Sequence, residues 1–300
     1  MVIKLDGVTK AFGSMTVIKD LSFTIRAGEI VGLLGPNGSG KTTTVRLING
    51  VIAPNTGSIE VFGRSSLAES DSIRARTGVL TETAGLYGEM TAKENLAFFA
   101  KLYGLRDPQH RVEELLETFG LGEHKYRKVG AFSTGMRKRL GIAKALVHRP
   151  DVLFLDEPTT GLDPEASRDL LSYIEDLNKN EGVTILLATH LLKQVQDLCH
   201  RFLFLHEGRL IEAGTLRELE DKYLRSFQVK VETDLVPKGS SYLGFSLYDK
   251  MPGFLIFNLQ SKEQIPILLS KLLQAGPVYS AEILGRDLET LYFNIRGEVQ

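Results

Sequence analysis

The sequence predicts an α/β chain: a mainly parallel sheet covered by helices, with an antiparallel β subdomain before it, a helical insertion within it and a small α+β domain after it. Three observations predict this. Residues 30–34 (IVGLL) and 183–188 (VTILLA) are continuously apolar and of strand length, as strands buried on both faces are. Such runs alternate with helical patterns, the crossover that successive parallel strands require. After Tyr223 the alternation gives way to clustered strand patterns, FQVKVET, SYLGFSLYD and GFLIFNLQ, and then the helical IPILLSKLLQAG.

In chain order, the first thirty residues alternate polar and apolar in VIKL and TVIKDLSFTI, the pattern of antiparallel strands with one wet face. The buried run 30–34 leads into GPNGSGKTTTVRLING, a glycine loop followed by a helix ending near Gly50. GSIEVFG (57–63) and TGVLT (77–81) read as further strands. From Thr91 to about His148 the pattern is helical: AKENLAFFAKLYG, HRVEELLETFG and MRKRLGIAKALVH. Strand and helix alternate again from Asp151: VLFLDE is a strand, 164–180 a helix, VTILLA a strand, LLKQVQDL a helix and FLFLHEGRLIEAG two short strands. A short strand near Val278 and a last helix over DLETLYFNIRG complete the chain. The predicted domains are 1–222, with a helical subdomain at about 88–150, and 223–300.

Composition excludes several functions. With 36 Lys plus Arg against 37 Asp plus Glu, the net charge of -1 exerts no overall pull toward nucleic acid or anionic lipid. Cys199 is the only cysteine, so neither an intrachain disulfide nor a thiolate zinc site is expected, which suits a reducing cytosol. His148, His190, His200 and His206 lack the spacing of a zinc set. MVIKLDGVTK lacks a signal-peptide core and no apolar run is long enough to span a bilayer. Any membrane role is therefore expected to pass through a partner, without direct insertion.

Gly35-Pro36-Asn37-Gly38-Ser39-Gly40-Lys41-Thr42 completes the phosphate-loop motif in its strand-loop-helix context. Glycines let successive backbone N–H groups converge on phosphate oxygens, and the helix N-terminus adds partial positive charge. Lys41 can reach the β and γ phosphates, and Thr42 offers a hydroxyl to Mg²⁺. VLFLDE ends a buried strand in Asp156 and Glu157, whose side chains point different ways, one toward Mg²⁺ and one toward an attacking water. The next strand ends in Thr189-His190, and in parallel sheets functional groups gather at the carboxyl ends. AFSTGMRKRLGIAKAL, at 131–146, places Ser133-Thr134-Gly135 before a basic, apolar run. By itself that stretch fits a phosphate clamp, a nucleic-acid grip or a capped surface helix.

In this order the motifs resemble the ATP-binding subunit of ATP-binding cassette (ABC) transporters over the whole of 1–222. The resemblance implies a P-loop NTPase fold that binds ATP and Mg²⁺ and hydrolyses ATP. Residues 35–43, including Thr43, would cradle the nucleotide, and Phe12 would stack on adenine. Ser133 and Gly135 occupy the signature, usually Leu-Ser-Gly-Gly-Gln, which clamps the γ phosphate held by the other subunit. Thr134, in place of the first of the two glycines, and Met136, in place of glutamine, depart from it; the Met136 change resembles the drug-exporter branch, where the signature often ends in Met followed by basic residues. Glu157 would orient the attacking water, His190 would stabilise it and the γ phosphate, and Asp163 would couple the two sites. Glu82 stands where the family has a glutamine that senses Mg²⁺ and water; it keeps the reach but adds negative charge.

LYGEMTAKENL resembles the segment that receives the membrane partner, with Leu86, Tyr87 and Met90 as contact candidates. The C-terminal pattern is similar to that of drug, lipid or sodium exporter subunits. The implied assembly is a homodimer, or a heterodimer with a related subunit, on a separate multi-span permease at the cytoplasmic face of the cell membrane. In that setting Arg137, Lys138 and Arg139 read as solvated or partner-contacting residues. The alternatives are a nucleic-acid-handling or a regulatory ATPase uncoupled from transport.

Overall fold

The computed structural model describes residues 1–300 except Glu82, Arg225, Ser226 and Gln300, and except the side chains of Glu298 and Val299. The chain divides into two units, Met1–Ala213 and Gly214–Gln300.

In the first unit, β1 (Ile3–Phe12) and β2 (Met15–Ile25) pair as an antiparallel hairpin. β3 (Ile30–Leu34) leads through the glycine loop into α1 (Lys41–Ile48). β4 (Thr56–Val61) and β5 (Arg64–Ser65) complete an antiparallel sheet of order β2-β1-β4-β5. A short helix, α2 (Ser70–Arg74), precedes β6 (Thr77–Leu80). The helical block is α3 (Ala92–Leu102), α4 (Pro108–Thr118) and α5 (Thr134–Leu146). Then come β7 (Val152–Asp156), α6 (Pro164–Glu181), β8 (Thr184–Thr189), α7 (Leu192–Val195), β9 (Arg201–His206) and β10 (Arg209–Gly214).

The second sheet has the order β10-β9-β3-β8-β7-β6. Its pairings from β9 through β6 are all parallel, and β3, β7 and β8 are buried at every residue, which is why their sequences run apolar without alternation. One core joins the two sheets and α1: Ile3, Ile18, Val31, Val45, Ile59, Phe154 and Leu203 are all within it. Burial on this scale, rather than propensity, holds the short strands in place.

Register decides where function can lie. Leu34 pairs with Thr189, and Asp156 with Ala188, so the segments following β3, β7 and β8 leave the same end of the sheet. Local chemistry sets the helices that follow. α6 starts at Asp163, which accepts the Ala166 N–H, has Pro164 in its first turn, and stops at Gly182 with φ 68. α3 starts with a Thr91–Glu94 capping box.

The second unit comprises α8 (Leu216–Tyr223), β11 (Phe227–Thr233), β12 (Ser241–Tyr242), β13 (Phe245–Met251), β14 (Phe254–Leu259), α9 (Gln264–Ala275), β15 (Val278–Leu284) and α10 (Leu288–Val299). Its sheet order is β12-β13-β14-β11-β15. Phe227, Val229 and Val231 alternate inward to meet Leu268 and Leu272 of α9.

Four details differ from the sequence reading. The division precedes α8 instead of following it, because Glu220 of α8 pairs with Arg286 and Lys262 of the second unit. LLKQVQDL forms only one helical turn, since His200 is drawn onto β3: its backbone N–H donates to Ile30 O, and its ring Nδ1 accepts from Ile30 N. SYLGFSLYD is two strands, turned at Leu243 (φ 52) and Gly244 (φ 87). The strand at Val278 is seven residues long, held along β11 by antiparallel pairing.

Candidate nucleotide site

The glycine loop adopts backbone conformations that side chains resist. Gly40, with φ 107, packs so that a Cβ there would fall 2.5 Å from Ile18 Cδ1. Gly38 also has positive φ, 80, but a Cβ there would meet nothing within 4 Å, so this face of the loop is open. Lys41 Nζ, on a side chain only 6% exposed, donates to Gly35 O (2.9 Å) and Pro36 O (3.2 Å) and lies 3.6 Å from Glu157 Oε1. Burial lowers the Lys41 pKa, partly offset by the charges of Glu157 and Asp156. Ser39 Oγ is buried with no hydrogen bond, and its N–H donates to Pro36 O (3.2 Å).

Thr42 Oγ1 donates to Asp156 Oδ2 at 2.7 Å, linking α1 to the tip of β7. Glu157 follows with φ 51, a left-handed conformation uncommon outside glycine. Its carboxylate, 13% exposed, is held from three sides. Oε2 accepts from Thr160 Oγ1 (3.1 Å) and Thr189 Oγ1 (3.0 Å), and Oε1 accepts from His190 Nδ1 (2.9 Å). Burial pushes the Glu157 carboxyl up; the hydrogen bond and charge of His190, the Lys41 ammonium and the Thr189 hydroxyl outweigh it and hold the group below the usual carboxylate range. Asn37, Gly38, Lys41, Thr42, Thr43, Glu157 and His190 line one cleft of about 310 Å³.

Ser133, Gly135 and Asp163 line a different cleft, of about 430 Å³. There Ser133 Oγ caps α5 by accepting the Met136 N–H (3.2 Å), and Asp163 Oδ1 accepts the Ala166 N–H (2.8 Å). The sequence candidates thus fall into two groups within one protomer. Phe12 lines neither cleft; it stands near the tip of the β1–β2 hairpin, 49% exposed, with Lys10 Nζ 5.0 Å from its ring centroid. Glu82 lies outside the described residues. Tyr87 is exposed and packs edge-on against Phe98 (5.2 Å), while Leu86 and Met90 are half-buried.

The basic run of α5 requires a correction. Arg137 donates to Phe132 O, Arg139 to Phe119 O (3.2 Å) and Lys138 to Glu157 O (2.8 Å). Lys138 is 5% exposed, so it is turned inward rather than solvated, whereas Arg137 and Arg139 are half-buried. Thr160 and Thr189, which donate to the same carboxylate, are not marked as site residues by the sequence. Their position beside the Glu157 and His190 motifs was the available signal, but nothing local distinguishes a carboxylate donor from an ordinary strand-end threonine.

The ABC transporter family model matches residues 18–160. The chain is 39% identical over 238 residues to the bacitracin transport ATP-binding protein BcrA of Bacillus licheniformis, covering 78% of this chain and 77% of that one. It is 33% identical over 303 residues to the ABC transporter ATP-binding protein YhcH of Bacillus subtilis, covering 100% of this chain and 97% of that one. Among solved structures, the dimeric post-hydrolysis state of an ATP-binding cassette bound to ADP and Pi superposes with a TM-score of 0.67 at 26% identity, over 72% of this chain and 99% of that chain. The chain belongs to the ABC transporter family and is an ATP-binding subunit with the ATPase fold of that family.

Proposed function

We propose that two copies of this subunit close on ATP and hydrolyse it to drive export through a separate multi-span permease. The observation that carries this reading is the division of the candidate residues between two clefts. A single protomer offers a phosphate cradle in one place and the Ser133–Gly135 helix terminus in another, so each nucleotide needs a cradle from one copy and a clamp from its partner. Support for the dimer also comes from the dimeric ADP- and Pi-bound cassette that the chain resembles.

In the closed pair the backbone N–H groups of 38–43 and the Lys41 ammonium bind the ATP phosphates, which replace the carbonyl partners that Lys41 has here. Phe12 stacks on the adenine, and Ser133 and Gly135 of the other copy hold the γ phosphate, with Asp163 linking the two sites. Glu157, kept ionised by its neighbours, orients the attacking water and accepts its proton; His190 stabilises both Glu157 and the γ phosphate. As water oxygen bonds to the γ phosphorus, the bond to the β-phosphate oxygen breaks and ADP leaves.

The oxygens of Thr42 and Asp156, 2.7 Å apart, are the hard donors that suit Mg²⁺, and Glu82 would be a further oxygen ligand. Bound there, Mg²⁺ supplies charge neutralisation to the β and γ phosphates. The dimer is peripheral at the cytoplasmic face of the membrane, carried by the permease: among the described residues no helix is long and apolar enough to cross a bilayer. Leu86, Tyr87 and Met90 are the contact surface for that partner, in a homodimer or in a heterodimer with a related subunit. Export, rather than uptake, is supported by Met136 in the signature, by the C-terminal pattern and by the similarity to a Nod factor export ATP-binding protein.

Glu157→Gln removes the base while preserving the shape of the cleft. It is expected to trap an ATP-bound dimer in size-exclusion chromatography, with turnover reduced at least a hundredfold. A variant that stays monomeric with ATP, or hydrolyses at the original rate, refutes the proposal.

A further inference from the structure

We propose that Lys138 is a positioning residue for ATP hydrolysis: from within the Ser133–Gly135 helix it grips the main chain of Glu157 and sets the direction of that carboxylate. The inference rests on the role proposed for Glu157. Lys138 belongs to α5, in the helical block, whereas Glu157 directly follows β7 of the parallel sheet. Lys138 Nζ donates to Glu157 O at 2.8 Å, and the Glu157 N–H donates to Ala188 O at 2.9 Å.

Both polar groups of the Glu157 peptide backbone are therefore held, one by the neighbouring strand and one by Lys138. This grip falls on a residue with φ 51, a conformation that persists only where the surroundings enforce it. The side chain beyond it meets Thr160, Thr189 and His190 within hydrogen-bond distance, so a small rotation of the backbone would misalign all three contacts. Burying an ammonium to 5% exposure is costly in a helix whose other inward residues, such as Leu140, Ile142 and Leu146, are apolar, and a methionine would fill that space without the cost.

The same helix begins at Ser133, in the cleft that meets the partner copy's nucleotide. A shift of α5 as that cleft engages ATP is transmitted through a rigid helix to Glu157 of the same chain. Each copy's hydrolytic carboxylate would in this way respond to occupancy of the other's nucleotide. Arg137 and Arg139, which bind carbonyls of 132 and 119, have no such link to Glu157.

The test uses the purified full chain with ATP and Mg²⁺. Lys138→Met is expected to lower kcat at least tenfold, leave KM for ATP within threefold and retain ATP-dependent dimerisation; Lys138→Arg should restore kcat to within threefold of the original. Combined with Glu157→Gln, Lys138→Met should lower the residual rate by less than twofold, because Lys138 acts through Glu157. Unchanged kcat in Lys138→Met, or an equal fold-loss in both backgrounds, overturns the proposal. If Lys138→Met does not fold, Lys138→Leu, which likewise carries no donor, is read by the same criteria. If Glu157→Gln alone leaves the rate intact, it is the role of Glu157 that fails; if it abolishes turnover while Lys138→Met does nothing, only the present inference fails.

Discussion

Thr189→Val isolates the charged hydrogen bonding that holds Glu157. Thr189 is fully buried, and valine has nearly its shape, so the substitution opens no cavity and chiefly deletes one hydroxyl. That hydroxyl donates to Glu157 Oε2 at 3.0 Å and accepts the Leu191 N–H at 3.0 Å. A hydrogen bond to an ionised acceptor contributes about 1.5–3 kcal/mol, and a neutral one about 0.5–1.5 kcal/mol. With Glu157 ionised, the loss should therefore be about 2–4.5 kcal/mol when both bonds are counted. In a Glu157→Gln background the first bond becomes neutral and the loss should shrink by about 1 kcal/mol or more. Equilibrium urea unfolding followed by circular dichroism measures both values, with the first unit's transition fitted separately. An equal loss in the two backgrounds would show that the cost comes from the Leu191 N–H or from packing, and would refute the electrostatic account.

Two further outcomes are expected. The Glu157 carboxyl titrates below its ordinary range, so it binds fewer protons folded than unfolded; the stability it contributes is present above the unfolded value and lost as pH falls through the lowered one. Acid unfolding of Glu157→Gln should consequently be less steep than that of the unsubstituted chain over that window, and identical slopes would contradict the assignment. In the second unit, Arg286→Met leaves the buried Glu220 with Lys262, 4.0 Å away, as its ion-pair partner among the described residues, and should destabilise that unit by about 1–3 kcal/mol. Hydrogen exchange of the α8 and α10 amides checks it: protection should fall there and remain in the first unit.

The legible part of the site was local. Gly35 through Thr42 carries its meaning in consecutive residues, because a phosphate cradle is made of backbone N–H groups whose geometry a glycine pattern dictates. Asp156, Glu157 and His190 were readable because each ends an apolar run. Ser133 and Asp163 drew their expected roles from the family resemblance alone, and in the structure both serve as helix caps. The basic run misled for a physical reason: a lysine on an amphipathic helix has the same sequence signature whether its head reaches water or, as with Lys138, an interior carbonyl.

By itself, then, the sequence determined the order of the elements, the phosphate loop and the identity of the two carboxylates, since these depend on residue type and on spacings of a few positions. Only the tertiary structure decided which groups meet. The parallel register of β3, β7 and β8 brings Lys41, Glu157, Thr189 and His190 to one end of a sheet, although they lie far apart along the chain. It also separated the Ser133 cleft from the phosphate loop and turned Lys138 inward. Strand pairing and core packing set those distances through contacts remote in sequence, and no local pattern encodes them.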